Sequence, residues 1–331
     1  MSESAPGPGR AYGSSNPAAI LRNVWDNASM VFVFLGVFAI ASVTVPYFLS
    51  LTNMKFLALA VSMVGMVACT MLFCLASGHF DLSVETVVLL SGVLAAIVTN
   101  KTGSVLAGVA MGVGAGGLVG LVNGLVIAKL KINALITTLA TMQIVKGLAF
   151  IAADGKAVGV ANEDFPILGT SSLAGIPTPV WLTVACFVLF GLLLRYTTFG
   201  RNTMAIGGNE EASRLAGIAV DRVKILIFVI QGVVAAFAGV VLASRMTSGQ
   251  VNAMEGFSLA VISACVLGGV SLSGGVGTIL GTLAGVLIMG TVENVMNLKN
   301  VDSFWQYVIR GAILLAAVLF DRLRQRRRGR Q

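Results

Sequence analysis

Charged side chains are scarce in this sequence, because Asp, Glu, Lys and Arg together make up only 11% of its 331 residues. A typical soluble domain carries about 25%, so there is too little charge here to cover a water-facing surface. The composition therefore excludes a soluble enzyme, a disordered chain and a nucleic-acid-binding domain. Apolar residues take the place of the missing charge at 56% of the chain, which indicates a membrane protein.

Motifs that carry chemistry are also missing. The single histidine and the four cysteines form no CxxC pair and no metal-ligand spacing. No GxxxxGK[ST] phosphate loop occurs, and no nucleophile–base pair is recognisable. We therefore expect no catalytic residue, no metal and no cofactor bound by this chain, and no ATP hydrolysis by the chain alone.

Ten apolar runs have about the length of membrane helices, which need about 20 residues. They do not alternate apolar and polar residues as the strands of a membrane barrel do. The sequence therefore predicts an all-α polytopic protein with about ten transmembrane helices in one transmembrane domain, residues 28–320. The eighth run is short and could belong to a broken helix. The runs lie at 28–49, 54–77, 83–100, 103–128, 134–153, 178–196, 223–243, 257–270, 276–297 and 303–320.

Basic residues fix the expected orientation. If both termini are cytoplasmic, fifteen of the 22 Lys and Arg residues fall on the cytoplasmic side, as the positive-inside rule requires. Residues 154–177 then form a periplasmic loop, and residues 197–222 form a cytoplasmic loop. The Pro/Gly/Ser-rich segment 1–27 is expected to be a disordered cytoplasmic tail. The basic tail 321–331 directly follows a run, which favours contact with anionic membrane lipid over nucleic acid.

Glycine is abundant, with 39 residues, and five glycines of the fourth run recur at every fourth position. Residues four apart share one face of a helix, and small residues let membrane helices approach closely. The stripe therefore predicts tight helix packing. The same run contains a GxGxxG match at 112–117. Because this match lies inside an apolar run and not between a strand and a helix, it does not indicate a nucleotide site. The stripe is Gly108, Gly112, Gly116, Gly120 and Gly124.

Two ionisable residues, Glu293 and Arg310, fall within the last two runs. Charges inside a membrane are costly and are functional candidates by default. Counted from a turn near Asn300, both lie about 10–15 Å deep at 1.5 Å per residue. They could form an ion pair that holds the last two helices together, or they could lie on a transport route.

Neutral polar residues in the fifth and ninth runs are candidates for lining a route for a neutral polar solute, because hydroxyls and amides do not trap an ion. The alternative is that they form hydrogen bonds between helices, and both interpretations stay open. These candidate pathway residues are Asn133, Thr137, Thr138, Thr141, Gln143, Asn294 and Asn297.

The segment SGHFDLS joins the second and third runs and contains His79 and Asp81. Asp81 stands just before a predicted helix, so it could serve as its N-cap. A lone histidine without a second ligand is a poor metal site.

The predicted cytoplasmic loop contains a short helix of its own. Gly207 and Gly208 are expected to break the chain, and Asn209 to cap a helix that carries Glu210 and Glu211 in its first turn. Gly217 is expected to end it. Such a helix between two spans could act as a rigid handle through which a partner tilts both of them.

Three motifs in order resemble those of permease subunits of bacterial sugar ABC importers, the ribose/xylose/arabinose group. The 200–218 segment GRNTMAIGGNEEASRLAGI resembles the coupling loop of that family, the glycine-rich 268–285 segment its late motif, and Asp81-Leu82-Ser83 its early motif. NALITTLATMQIVKG (133–147), DGKAVG (154–159), ASRMTSGQ (243–250) and NLKNVDSFWQYVIRG (297–311) are similar to the arabinose branch. One departure is Gly78-His79, where the family usually has two glycines.

The resemblance covers residues 28–322 and implies a type II ABC importer-like permease fold in the bacterial inner (plasma) membrane. It further implies a homodimer with the pathway between the copies, a cytoplasmic ABC ATPase that holds ATP and Mg²⁺, and a periplasmic sugar-binding protein. The substrate would be a monosaccharide, L-arabinose or a related pentose. The residues expected to couple to the ATPase are Asn209, Glu210, Glu211, Ala212 and Gly217. The alternative function is an ion-coupled secondary sugar transporter, which would need intramembrane carboxylates.

Overall fold

The computed structural model describes residues 17–328, with side chains over residues 30–319. In this part of the chain the protein is mostly helical, and four two-residue strands are the only β-structure. The helices are α1 Pro17–Thr44, α2 Leu51–Ala76, α3 Val84–Thr102, α4 Val105–Lys129, α5 Ala134–Ala152, α6 Ile167–Thr170, α7 Thr178–Tyr196, α8 Thr198–Gly208, α9 Glu210–Leu215, α10 Val220–Met246, α11 Phe257–Leu267, α12 Ile279–Leu298 and α13 Ser303–Arg328. The strands are β1 Val158–Gly159, β2 Ser172–Leu173, β3 Ile176–Pro177 and β4 Ser248–Gly249.

Each of the ten predicted apolar runs coincides with a helix, but not every one is a clear span. Among the described residues, seven helices are long and apolar enough to cross a membrane, namely α2, α3, α4, α5, α7, α10 and α12. The predicted span at 257–270 forms only the eleven residues of α11, about 16 Å long, which is half the thickness of a bilayer core. The described apolar parts of α1 and α13 are also shorter than a full span.

The predicted tails fall only partly within the described residues. Residues 1–16 and 329–331 lie outside them, whereas the backbone is helical from Pro17 and again as far as Arg328. Helix α1 therefore begins inside the segment 1–27 that was expected to be a disordered tail. Helix α13 likewise continues through most of the basic segment 321–331.

Polar side chains mark the starts of several helices. Ser50, Ser104 and Thr278 each accept a hydrogen bond from the backbone N–H three residues further on. Because the first N–H groups of a helix have no partner within it, these side chains fix where α2, α4 and α12 begin. Asn133 does the same for α5.

Burial separates an inner group of helices from an outer one. In α2, α3, α10 and α12, more than half of the most apolar stretch of the helix is buried. In α4, α5 and α7, less than a third of that stretch is buried. Helices α2, α3 and α10 pack around Phe73, Met66 and Val241, all of which are fully or almost fully buried. The outer helices therefore present broad apolar surfaces, which suit lipid or a second protein chain.

The glycine stripe of α4 lies in the contact with α3 and α10, as the spacing predicted. A Cβ atom added to Gly116 would collide with the side chain of Ala236 and the backbone oxygen of Gly232, and one added to Gly112 would lie 2.6 Å from the backbone oxygen of Ser91. Gly120 is pressed against the backbone of Phe228. The absence of side chains therefore allows direct backbone contact between these helices.

The segment between α10 and α12 interrupts the bundle. After Met246 the chain forms β4, which pairs antiparallel with β1 through Val158 and Gly249. It then runs through α11 and a turn in which Gly274 and Gly275 take positive φ angles. The short helix α11 is held against α2 and α12, where Gly285 packs directly against the Ala264 carbonyl.

The packing of the stripe leads to a test with a matched control. Gly116→Ala should lower the free energy of unfolding by about 1–3 kcal/mol, the usual effect of overpacking, because the new methyl group meets Ala236 and Gly232. Gly114→Ala lies in the same helix but has open space within 4 Å, so it should be neutral or slightly stabilising. Thermal unfolding in detergent compares the two variants, and equal stability would contradict the packing argument.

Candidate functional site

The segment from α8 to the start of α10 forms a compact projection at one end of the bundle. Asn209 adopts an extended conformation and its Oδ1 accepts a hydrogen bond from Ala212 N at 2.9 Å, so it caps α9 as predicted. Gly217 takes φ +83° and its N–H donates to Arg214 O at 3.1 Å. Only glycine adopts this conformation without strain, which explains why α9 ends there.

The expectation that Gly207 and Gly208 break the chain is wrong. Helix α8 runs through both glycines to its end at Gly208, and the break falls at Asn209. Gly207 instead lets α8 pack against the end of α2, because a Cβ atom here would collide with the backbone oxygen of Ala76. The glycine reflects close packing rather than flexibility.

An ion-pair network holds α9 against α10 and α4. Glu210 Oε2 accepts a hydrogen bond from Lys224 Nζ at 2.7 Å, and Lys224 is buried. Arg214 lies 3.4 Å from Glu210 Oε1 and 3.3 Å from Asp221, which in turn pairs with Lys129 at 3.1 Å. Burial acts to raise the pKa of Glu210, but the hydrogen bond and charge of Lys224 outweigh it, so the net pKa is lowered.

The exposed surface of α9 also includes residues outside this network. Glu211 and Ala212 are exposed, and the Glu211 carboxylate makes no ion pair with any described residue. Leu215 is 84% exposed, although it is apolar. Sequence reasoning missed both Leu215 and Lys224; the signal for Lys224 was a lysine one turn inside an apolar helix, fourteen residues after Glu210.

A cavity of about 490 Å³ lies beside this network. It opens between the segment 77–83, the α4–α5 turn and α10, and its lining includes His79, Lys131, Asn133 and Lys224. The ammonium group of Lys224 and the carboxylate of Glu210 therefore both line this cavity at one end of the bundle.

The segment 77–83 contains the buried residues Ser77, Asp81 and Ser83 and carries the start of a hydrogen-bonded chain of side chains. Asp81 Oδ1 accepts from Ser83 N at 2.9 Å and from Ser83 Oγ at 2.6 Å. Ser83 Oγ also accepts from Asn123 Nδ2 at 3.0 Å, and Asn123 Oδ1 accepts from Thr141 Oγ1 at 2.7 Å. The chain links α3, α4 and α5. Ser83 occupies the N-cap position of α3 but makes no side-chain capping bond, and the Asp81 carboxylate, two residues earlier, binds the backbone N–H of Ser83 at the helix start.

His79 packs edge-on against Phe228, with the ring centroids 6.3 Å apart. Burial and the nearby charge of Lys224 lower the pKa of His79 to about 4. Burial raises the pKa of Asp81 to about 6, although hydrogen bonds from Ser83 oppose the rise. Gly78 takes φ +79° and His79 does not take a positive φ, so the turn needs only one glycine and the histidine fits.

The candidate pathway residues of α5 fall into different surroundings. Thr137 and Thr138 are buried and donate to carbonyls of their own helix, at Asn133 and Ala134. Gln143 is exposed on the outer side. The structure thus does not gather these residues on one open surface, and their role in transport stays a prediction.

The candidate pathway residues of α12 are occupied by contacts between helices. Asn294 and Asn53 exchange two hydrogen bonds of 2.8 and 2.9 Å, which join α12 to α2. Asn297 Oδ1 accepts from Gln306 Nε2 at 2.9 Å, which joins α12 to α13. Hydrogen bonds between side chains of neighbouring membrane helices contribute about 0.6–2 kcal/mol each.

Glu293 and Arg310 lie together, with Glu293 Oε1 2.8 Å from Arg310 Nε. The Arg310 guanidinium also lies over the ring of Tyr307, 5.7 Å from its centroid. The contact joins α12 to α13 within the apolar part of both helices. Its geometry is that of the ion pair considered from the sequence; whether it also lies on a transport route stays open.

Comparison with known proteins assigns the chain to a family. A family described as "Branched-chain amino acid transport system / permease component" matches residues 53–318. The chain belongs to this permease family. It is 62% identical over 303 residues, 92% of each chain, to the L-arabinose transport system permease protein AraH of Escherichia coli strain K12. The permease is also similar to the L-arabinose ABC transporter permease protein AraH of Azospirillum brasilense, with 53% identity over 94% of this chain and 93% of that protein.

A third relative is named for a different sugar, ribose. The permease is 43% identical to the ribose import permease protein RbsC of Bacillus subtilis strain 168, over 87% of this chain and 91% of that protein. No solved structure matches the permease. Within its described residues, no three His, Cys, Asp or Glu side chains are grouped so that they could hold a metal ion.

The ion pair can be tested by exchanging its charges. Glu293→Gln in the permease should lower the free energy of unfolding by about 1–3 kcal/mol, because it leaves Arg310 without its counter-ion. The double variant Glu293→Arg/Arg310→Glu should recover part of that loss. Thermal unfolding in detergent measures the stability of these variants and of the single variants Glu293→Arg and Arg310→Glu. A double variant no more stable than the less stable of those two single variants would show that the pair does not hold the helices.

Acid stability should depend on His79 and Asp81 in opposite directions. The folded permease keeps His79 neutral down to about pH 4, so stability is lost as the pH falls below 6.5, where an unfolded histidine binds a proton. Asp81 keeps its proton up to about pH 6, so stability is lost as the pH rises from about 4 to 6.

The quantity to measure is the melting temperature at pH 7 minus the melting temperature at pH 5. Compared with the wild-type value, this difference should be larger in Asp81→Asn and smaller in His79→Asn, each by the equivalent of about 1–2 kcal/mol. Asparagine can still accept both bonds from Ser83, so the first variant changes the charge and little else. Identical pH profiles for all three proteins would contradict these assignments.

Proposed function

We propose that this chain is the transmembrane permease subunit of an ATP-driven ABC importer that carries a monosaccharide, L-arabinose or a related pentose, across the bacterial inner membrane. The observation that carries the proposal is the 62% identity to an L-arabinose permease over 92% of both chains. The chain is not itself an enzyme, since ATP hydrolysis belongs to a separate ATPase subunit.

The substrate class rests on several relatives together. Two relatives at 62% and 53% identity carry L-arabinose in their names, and one at 43% carries ribose. The family description names branched-chain amino acids, but the sugar permeases are the proteins that resemble this chain over nearly their whole length. The gradient of identity favours L-arabinose over ribose.

The proposed membrane arrangement has about ten crossings and both termini in the cytoplasm. The distribution of basic residues supports it, because Lys129, Lys131, Arg201 and Arg214 all lie in segments at the end of the bundle that carries α9. Under the positive-inside rule this end faces the cytoplasm. The hairpin of β2 and β3 in the segment 154–177 then faces the periplasm.

The partners follow from the same arrangement. A cytoplasmic ABC ATPase, which holds ATP and Mg²⁺, docks on the exposed surface of α9, and a periplasmic sugar-binding protein docks near the segment 154–177. A second copy of the permease completes a homodimer with the pathway between the copies. The broad apolar surfaces of α4, α5 and α7 leave room for such a contact.

The ion pairs of α9 suggest how ATPase movement reaches the membrane. Glu210 bonds to the buried Lys224 of α10, and Arg214 bonds to Asp221 of the same helix. A partner that displaces α9 therefore displaces α10 with it, and α10 packs along α3 and α4. Such coupling works only if the two ATPase states favour different permease states.

The ion-coupled transporter has nothing in its favour. It would need a carboxylate inside the membrane that is free to exchange an ion. Glu293, the carboxylate in the last two predicted runs, is engaged by Arg310 at 2.8 Å. The relatives named above are permease components of transport systems rather than stand-alone transporters.

Sugar uptake in proteoliposomes tests the proposal. Uptake should require the ATPase, the sugar-loaded binding protein and ATP, and should be insensitive to a protonophore. The double variant Glu211→Gln/Leu215→Ala should lower ATP-coupled uptake at least tenfold, because it changes the exposed surface of α9 and leaves the Glu210–Lys224 pair intact.

Leu106→Ala provides the matched control. Leu106 is 78% exposed, similar to Leu215, but lies at the start of α4 at the opposite end of the bundle. This variant should transport like wild type, and both variants should melt like wild type. Uphill transport by the permease alone would overturn the proposed function, and wild-type uptake by the α9 variant would remove α9 from the coupling.

A further inference from the structure

A second cavity, of about 630 Å³, lies at the end of the bundle that carries α9. It is enclosed by the end of α7, the first half of α8 and the start of α12. Its volume is in the range of about 300–1,000 Å³ that is usual for ligand pockets. It shares no lining residue with the cavity beside Lys224, and none of the candidate coupling or pathway residues lines it.

Two arginines supply the charge of this cavity. Arg195 lies in the last turn of α7 and Arg201 near the start of α8, and both are exposed. No Asp or Glu lines the cavity, and within the described residues neither arginine has a carboxylate within 4.0 Å. The cavity therefore carries positive charge without a counter-ion. Guanidinium groups bind phosphate oxygens through pairs of N–H donors, so a phosphate group suits this charge.

The rest of the lining is largely apolar, which limits the kind of anion that fits. Leu280 is 60% exposed at the start of α12, directly beside the arginines. A small free anion gains nothing from such side chains, whereas a molecule with a charged head and an apolar tail uses both parts of the cavity. The apolar lining residues are Leu194, Met204, Ile279 and Leu280.

An apolar stripe on α7 leads to the cavity from the membrane. Val184, Val188 and Leu192 are exposed and recur at every fourth position, so they share one face of the helix. Leu192 stands three residues before Arg195 on the same face. The stripe spans about 12 Å at 1.5 Å per residue, close to the roughly 15 Å of hydrocarbon in one leaflet. Its length therefore matches an acyl chain that extends from a head group at the arginines.

We propose that this cavity binds the head group of an anionic phospholipid of the cytoplasmic leaflet. Arg195 and Arg201 donate to the phosphate, and an acyl chain lies along the stripe of α7. Basic pockets between membrane helices on the cytoplasmic side are typical sites for anionic head groups. The assignment to this leaflet uses the proposed orientation, but it depends neither on the transported sugar nor on the ATPase.

The arrangement favours lipid over an acidic segment of a partner protein. Such a segment would use the arginines, but the exposed apolar face of α7 would stay without a function. A lipid occupies the charged and the apolar part at once. Because it contacts α7, α8 and α12 together, a bound lipid should also stabilise the permease against unfolding.

Lipid binding by the purified permease in detergent tests the site. Wild type should bind phosphatidylglycerol about tenfold more tightly than phosphatidylcholine of the same chain length, measured by native mass spectrometry. Arg195→Gln/Arg201→Gln should bind both lipids equally, because the variant keeps the apolar contacts and removes both charges. Lys131→Gln/Arg222→Gln is the matched control. It removes two exposed charges at the same end of the bundle, outside this cavity, and should keep the preference.

The outcomes are exclusive. Equal binding of the two lipids by wild type, or the same loss of preference in both double variants, would overturn the proposal, since the attraction would then belong to the whole basic surface. Glycerol 3-phosphate that raises the melting temperature as much as phosphatidylglycerol would overturn the lipid as the occupant. A cavity variant that binds lipid like wild type but no longer binds the ATPase would show that the cavity is a protein contact.

A labelling experiment on wild type covers the case in which the cavity variant does not fold. Phosphatidylglycerol with a photoreactive group near its head should label the segments 191–204 and 277–280, which contain the lining residues. An excess of unlabelled phosphatidylglycerol should prevent the labelling, and phosphatidylcholine should not. Labelling that is spread over the other helices, or that both lipids prevent equally, would overturn the proposal.

Discussion

Direct backbone contact between α4 and its neighbours α3 and α10 is the constraint on which the rest of this structure depends. Lipid offers no hydrophobic driving force between membrane helices, so packing at short range has to hold them. Gly112, Gly116 and Gly120 remove the side chains that would keep the backbones apart. The three helices therefore form a fixed unit, and the less buried α5 and the projecting α9 are positioned relative to it.

The ion pairs of α9 connect it to α10, which is part of this fixed unit. Pairs between exposed charges contribute little, and the contacts of Arg214 are of that kind. Lys224 differs because it is buried, so the loss of Glu210 would leave a charge inside the bundle without a partner. Helix α9 is thus tied to α10 mainly through one bond. A tie of this kind transmits displacement, whereas a flexible loop would absorb it.

The interior of the bundle is more polar than its composition suggests. Asp81, Ser83 and Asn123 form a hydrogen-bonded chain at the buried start of α3, and Glu85 and Ser258 continue the polar layer to the start of α11. Two helices begin inside the bundle because each finds side chains there to satisfy its first N–H groups. A broken helix at membrane depth is tolerated only where protein or a water-filled route surrounds it.

The sequence by itself determined the positions of the helices, the glycine contact face, the cap at Asn209 and the end of α9 at Gly217, because each depends on local composition or on a fixed helical period. It indicated that the eighth run is short, but it did not reveal that α8 runs through Gly207 and Gly208 or that Asn294 is bonded to Asn53. Those features depend on partners more than sixty residues away in the chain. Only the tertiary structure brings Glu85 and Ser258 together, since the contact between the starts of α3 and α11 is set by how neighbouring helices are shifted along one another.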